Sequence, residues 1–180
     1  YAFWVITLTL FLSALLITAF TFHVVSIFET SGFTREDAVN VFLPSAIVAV
    51  TIQFIGSWIS DYIRLKWLVS IHLFGAILLS AGVWALGAGA PPLVVIAGMG
   101  FNQGMMGITS NITWPRYYGL RHLGEVSGFA MAWTVAGSAI GPYFFSLSLD
   151  FTGTYGTIAL FFFATAILLF IGSFWVRRPE

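Results

Sequence analysis

The sequence predicts an all-α integral membrane protein of six transmembrane helices, and three observations predict it. The chain is 59% hydrophobic and 8% charged, with a mean hydropathy of +0.96; a soluble domain carries about 25% charged residues. Its acidic and basic residues leave charge-free stretches at 1–28, 38–60, 67–115, 126–149 and 151–176. The third stretch is divided by Gly87-Ala88-Gly89-Ala90-Pro91-Pro92, which makes six apolar segments. Each is long enough, as a helix, to cross a hydrocarbon core of about 30 Å. The segments are apolar all round, without the alternation of barrel strands. In lipid only helices and closed barrels satisfy the backbone, so these are helices.

The first span is expected near 3–28. The second, near 36–60, opens on Thr34-Arg35-Glu36-Asp37. That run reads as a capping box in which the Thr34 hydroxyl and the Asp37 carboxylate satisfy orphan amides. The third runs near 67–87 and stops at the Gly/Pro run. The fourth, near 92–116, holds the densest polarity of any span. The fifth, near 125–148, has Glu125 in its first turn, where a negative charge suits the helix dipole. The sixth lies near 156–176. Pro44 and Pro142 fall inside spans and predict bends. The loops leave no room for a soluble domain, so 1–180 is expected to be a single six-helix unit.

Six of the seven basic residues orient it. Arg64 and Lys66 lie between spans two and three, Arg116 and Arg121 between four and five, and Arg177 and Arg178 after six. These positions alternate with the others and share one face, which the positive-inside rule makes cytoplasmic, with both chain ends inside. Only Arg35 dissents, beside Glu29, Glu36 and Asp37. Trp58, Trp67, Trp114, Tyr117, Tyr118 and Trp175 are expected to form an aromatic belt at that face. The expected location is a plasma (cytoplasmic) membrane, multi-pass.

Zero net charge leaves no basic surface for nucleic acid once these anchors are counted. The absence of cysteine removes disulfides and thiolate metal sites. The first span has neither the charged lead-in nor the small-residue cleavage site of a signal peptide. Because the chain starts at Tyr1 rather than Met and is apolar from the outset, it reads as a piece of a longer protein.

Among the polar residues within spans, Asn102, Gln103, Thr109, Ser110, Asn111 and Thr113 stand out on the fourth helix. Polar groups at bilayer depth face protein or a water-filled cavity. Asn102 and Thr109 are seven apart and share a face, as do Gln103 and Ser110. A cavity wall and plain interhelical hydrogen bonding explain the pattern equally well. Gln53 is nearly alone midway along the second span, and His23 and His72 are lone histidines for which a structural role is the plainer reading. Trp133 reads as packing. The sequon Asn111-Ile112-Thr113 lies within the membrane and should be unused. Gly100/Gly104, Gly124/Gly128 and Gly137/Gly141 are each spaced for close helix approach, static or sliding. Pro142 after Gly141 makes a bend there.

The loop Gly56-Ser57-Trp58-Ile59-Ser60-Asp61-Tyr62-Ile63-Arg64-Leu65-Lys66 sets a carboxylate at a helix end with bases three and five residues on. It is either a charge latch or a plain loop with topology anchors. It resembles the major facilitator loop motif G-x-x-x-D-R-x-G-R-[KR]. Asp61 and Lys66 match; Ser57, Tyr62, Arg64 and Leu65 depart. Gly137-Ser138-Ala139-Ile140-Gly141-Pro142 is similar to the G-x-x-x-G-P element of antiporter-type members. Trp114-Pro115-Arg116-Tyr117-Tyr118-Gly119 with His122-Leu123-Gly124 and Gly128, and His23-Val24-Val25-Ser26-Ile27-Phe28 with Gly32, resemble the branch of monocarboxylate transporters and oxalate/formate antiporters.

The resemblance covers the whole chain, as the C-terminal six of twelve helices. It implies two inverted three-helix repeats, with an N-terminal half missing. It also implies a cytoplasmic latch of Asp61, Lys66 and Arg64, and a helix bend at Gly137, Gly141 and Pro142. Asn102, Gln103, Asn111, Gln53, His23 and Thr109 would line a substrate pathway. The partners implied are the bilayer, a small solute and the other half, with no cofactor and no metal. Organic-anion members carry a basic residue deep in the second or fifth helix of this half, and here neither helix has one.

The expected function is secondary active transport of a small solute by alternating access, a small organic anion by resemblance. The alternative is a structural or assembly subunit whose polar residues knit helices together. An enzyme is not expected: no Ser follows a Gly at the G-x-S-G spacing, there is no H-x-x-x-H and no paired intramembrane Asp.

Overall fold

The structure, a computed structural model, describes residues 1–176. Arg177 and Arg178, expected as cytoplasmic anchors, lie outside the described residues. Among the described residues all regular structure is helical: α1 (Ala2–Thr30), α2 (Arg35–Asn40), α3 (Phe42–Ser60), α4 (Leu65–Gly87), α5 (Leu93–Tyr118), α6 (Leu123–Thr152) and α7 (Gly156–Ser173). The Thr34 hydroxyl accepts from the Asp37 amide at 3.1 Å and the Thr34 amide donates to the Asp37 carboxylate at 2.9 Å, so the capping box forms.

The expected single helix over 36–60 is interrupted at Val41, which separates α2 from α3. Pro44 explains the place. It has no amide to give Asn40, whereas as the third residue of α3 it sits in a first turn whose amides need no helical partner. Pro142 acts differently, and α6 runs through it as one helix of 30 residues.

Among the described residues four segments are long and apolar enough to cross a membrane: Ala2–Thr30, Arg35–Ser60, Leu65–Gly87 and Gly156–Ser173. The other two helices, α5 and α6, are 26 and 30 residues long but carry glycines and polar groups that lower their hydropathy. Leu43, Ile47, Val50 and Phe54 of α3, Met131, Val135 and Tyr143 of α6, and Phe161 and Leu168 of α7 all stand exposed. Surfaces this apolar and this continuous belong against lipid or another protein.

Packing follows a crossed pattern. If α1, α2–α3 and α4 are taken as one triplet and α5, α6 and α7 as another, the second helix of each packs on the first helix of the other. Thus α6 lies along α1 and α3 along α5, while the third helices, α4 and α7, pack together; α4 also packs on α5 as extensively as α6 does on α1, whereas its counterpart α7 touches α1 far less. The core runs between α1 and α4, through Leu15, Leu16, Phe20, Leu79 and Leu86, all 2% exposed or less.

Two of the three glycine pairs make this possible. A Cβ at Gly100 or Gly104 would stand 2.5 and 2.6 Å from the Ser45 and Ala49 carbonyl oxygens of α3. One at Gly137 or Gly141 would stand 2.5 Å from those of Phe11 and Leu15 of α1. In both contacts the glycine pair faces carbonyls that are themselves four residues apart, so the backbones touch over a full turn. The pair Gly124/Gly128, also expected to be a close approach, has nothing within 4 Å, because the first turns of α6 present that side outward.

At one end the Tyr1 hydroxyl donates to the Gly172 carbonyl at 2.7 Å and the Ser70 and Ser173 hydroxyls meet at 2.6 Å. This end holds Arg64, Lys66 and Arg116, which line one cavity, and is called the basic end. The aromatic belt expected there is partial. Trp58, Trp67 and Trp175 are exposed, but Trp114 and Tyr117 are buried at 2% and 9%. They pack with Val5, Ile6, Leu10 and Leu73 because the last turns of α5 face the start of α1 and α4.

A candidate substrate face and a charged end

The expected pathway residues divide into an outward group and an inward group. Gln103 and Asn111 of α5 are exposed, with Gly107 and Ser110 half-buried between them on the same side. Gln53 of α3, also exposed, reaches over that stripe: its amide nitrogen would lie 3.3 Å from a Cβ at Gly107. The helical spacing of 103, 107, 110 and 111 aligns these groups, and the missing side chain at Gly107 lets Gln53 lie flat across α5. Here neutral donors and acceptors sit together on an open face with no charge among them.

Asn102 and Thr109 share a face, as their spacing predicts, but that face is turned into the protein, and both are 0% exposed. Asn102 packs where α5 meets α4, so closely that a Cβ at Gly75 would lie 2.7 Å from its backbone nitrogen. Its side chain stands beside His72 of α4, and neither Asn102 polar atom completes a hydrogen bond. His72 itself is fully buried, with Nε2 2.9 Å from the Ser13 hydroxyl of α1. The polar junction Ser13–His72–Asn102 therefore joins three helices. Sequence spacing could not find it, since its members come from three spans.

His23 is half-buried near the end opposite the basic one. Its Nε2 lies 3.0 Å from the Pro142 carbonyl oxygen; a carbonyl only accepts, so Nε2 carries a proton. Its Nδ1 is 3.3 Å from the Tyr155 hydroxyl, which donates to Ser26 at 2.8 Å. His23 thus ties α1 to α6, and the Tyr155–Ser26 bond ties the start of α7 to α1. The Thr18 and Ser138 hydroxyls add a second α1–α6 bond at 2.8 Å. Around the expected bend, then, Gly137 and Gly141 press on α1, and Pro142 lends a carbonyl to it. Trp133 is half-buried among Trp4, Phe11 and Phe129.

At the basic end Asp61 caps the last turn of α3, and α4 begins at Leu65 without a side-chain cap. Asp61, Arg64 and Lys66 line a cavity of about 820 Å³ together with Arg116. Arg116 Nη1 donates to the Ser60 carbonyl at 2.6 Å, where the end of α3 exposes an acceptor. The loop and the end of α5 are thereby held as one charged cluster. Among the described residues no group of three His, Cys, Asp or Glu is placed to hold a metal ion.

No protein-family model and no curated protein matches the chain.

Proposed function

We propose that the chain is a six-helix half of a major facilitator transporter, spanning the plasma membrane six times with the basic end in the cytoplasm. It would move a small solute, a small organic anion on the resemblance of the Trp114–Gly128 and His23–Gly32 runs, by rocking against a second six-helix unit around a midplane site. The observation that carries this reading is the crossed packing: α6 on α1, α3 on α5, and α4 on α7. Two triplets running in opposite directions and interlocked in this way are what two inverted three-helix repeats would give. On this reading α1 and α5 flank the pathway. Gln53, Gln103 and Asn111 meet the solute through neutral donors, and Asp61, Arg64 and Lys66 form the cytoplasmic latch.

A second reading, an assembly subunit without transport of its own, draws support from Asn102, His72 and His23, whose polar atoms lie at helix contacts. Reconstitution into proteoliposomes with whatever second half the natural protein carries decides between them. Uptake of at least one radiolabelled mono- or dicarboxylate, lost in the Gln53→Ala/Gln103→Ala variant while the helical signal persists, supports transport. Absence of uptake across the series, or unchanged uptake in that variant, defeats the site assignment.

A further inference from the structure

We propose that the cavity at the basic end holds the headgroup of an anionic phospholipid. The inference stands on the chain lying in a bilayer and not on the transport reading. Among the described residues three bases, Arg64, Lys66 and Arg116, line the cavity with one acid, Asp61. The first turn of α4 opens into the same cavity at Leu65 and Lys66 with no side chain capping its amides. Both features favour an anion.

The rest of the lining decides what kind of anion. Leu65, Phe174 and Val176 form an apolar wall beside the bases. Phe174 continues into Trp67 at 5.7 Å between rings, and the Lys66 ammonium lies 5.3 Å over the Trp67 ring. A free phosphate has no use for an apolar wall, and about 820 Å³ is far more room than it needs. A phosphodiester with glycerol and the first acyl carbons uses both. Trp58, Trp67 and Trp175, exposed at the same end, are the side chains that settle at headgroup depth.

The test is native mass spectrometry of the purified protein equilibrated with equal amounts of phosphatidylglycerol and phosphatidylcholine. Phosphatidylglycerol should be retained about fivefold or more over phosphatidylcholine, the effect of one or more bases near an anionic headgroup. Arg64→Gln/Lys66→Gln should bring the ratio to parity, and Arg35→Gln at the opposite end should leave it unchanged. Asp61→Asn, which removes the opposing acid, should raise it. Parity in the unaltered protein, or a preference that survives the double variant, overturns the proposal. Displacement of the lipid by excess inorganic phosphate overturns the choice of a lipid. If the double variant loses its helical signal, Asp61→Asn decides, and no rise counts against the site.

Discussion

His72 and Ser13 meet at 2.9 Å, Nε2 to Oγ, with both side chains 0% exposed. The contact fixes α4 to α1 in the middle of the bundle, where no water competes for either partner. Interhelical hydrogen bonds in lipid contribute about 0.6 kcal/mol on average and about 1.7 at most. A double-mutant cycle of Ser13→Ala and His72→Phe should return a coupling within that range, read from detergent-induced unfolding in micelles. Strict additivity would mean that the bond contributes nothing and that His72 is held by packing alone.

The glycine pairs predict a contrast within one helix. Gly137→Ala and Gly141→Ala each push a methyl to within 2.5 Å of an α1 carbonyl oxygen. Each should cost about 1–3 kcal/mol, because two backbones in contact must separate. Gly124→Ala and Gly128→Ala meet nothing within 4 Å; they should be neutral, or stabilising by up to about 1 kcal/mol through helix propensity. Thermal unfolding of the four variants checks this, and equal effects at all four sites would mean that the α1–α6 contact is looser than it stands here.

Asn102 offers a test of direction. Its amide completes no hydrogen bond of good geometry but faces the buried His72 ring, whose Nδ1 also completes none, so Asn102→Leu should change stability by no more than about 1–2 kcal/mol. Asn102→Asp buries a carboxylate whose established polar neighbour is the His72 ring, and it should cost about 3 kcal/mol or more at neutral pH. A pathway-lining Asn102 would behave in reverse, tolerating Asp in contact with water. Unfolding of the two variants, side by side, separates the two positions.

The bundle was legible in the sequence because charge is confined to helix ends and the Gly87–Pro92 run stops a span. The Thr34–Asp37 capping box was legible for a related reason: a cap is made within four residues. Pairings between distant helices were not. Asn102 and Gln103 are adjacent in sequence and equally polar, yet one faces α4 and the other the open side. What separates them is Gly75 opposite Asn102 and Gln53 opposite Gly107, and neither partner can be read from the fourth span alone. Trp114 and Tyr117 misled for the same reason. Aromatic type and position near a helix end suggested a belt, while the start of α1 lay over them.

Gln103 and Gln53 carry the prediction that bears most on function. Both are exposed; Gln53 borders Gly107, and Gln103 lies one turn before it along α5. Restoring a side chain there with Gly107→Leu would lift Gln53 off α5 and fill the polar stripe. Because the site is open, stability should change by less than about 1 kcal/mol. Transport, if this stripe meets the solute, should fall more than tenfold, the effect of losing about 1.4 kcal/mol of binding. Gly107→Ala, with 3.3 Å to the Gln53 amide, asks for only a small shift and should keep most of the activity. Uptake in proteoliposomes measures both. A Gly107→Leu protein that is stable and transports at the unaltered rate would place the pathway elsewhere, and the Thr18–Ser138 side of α1 would be the next surface to mutate.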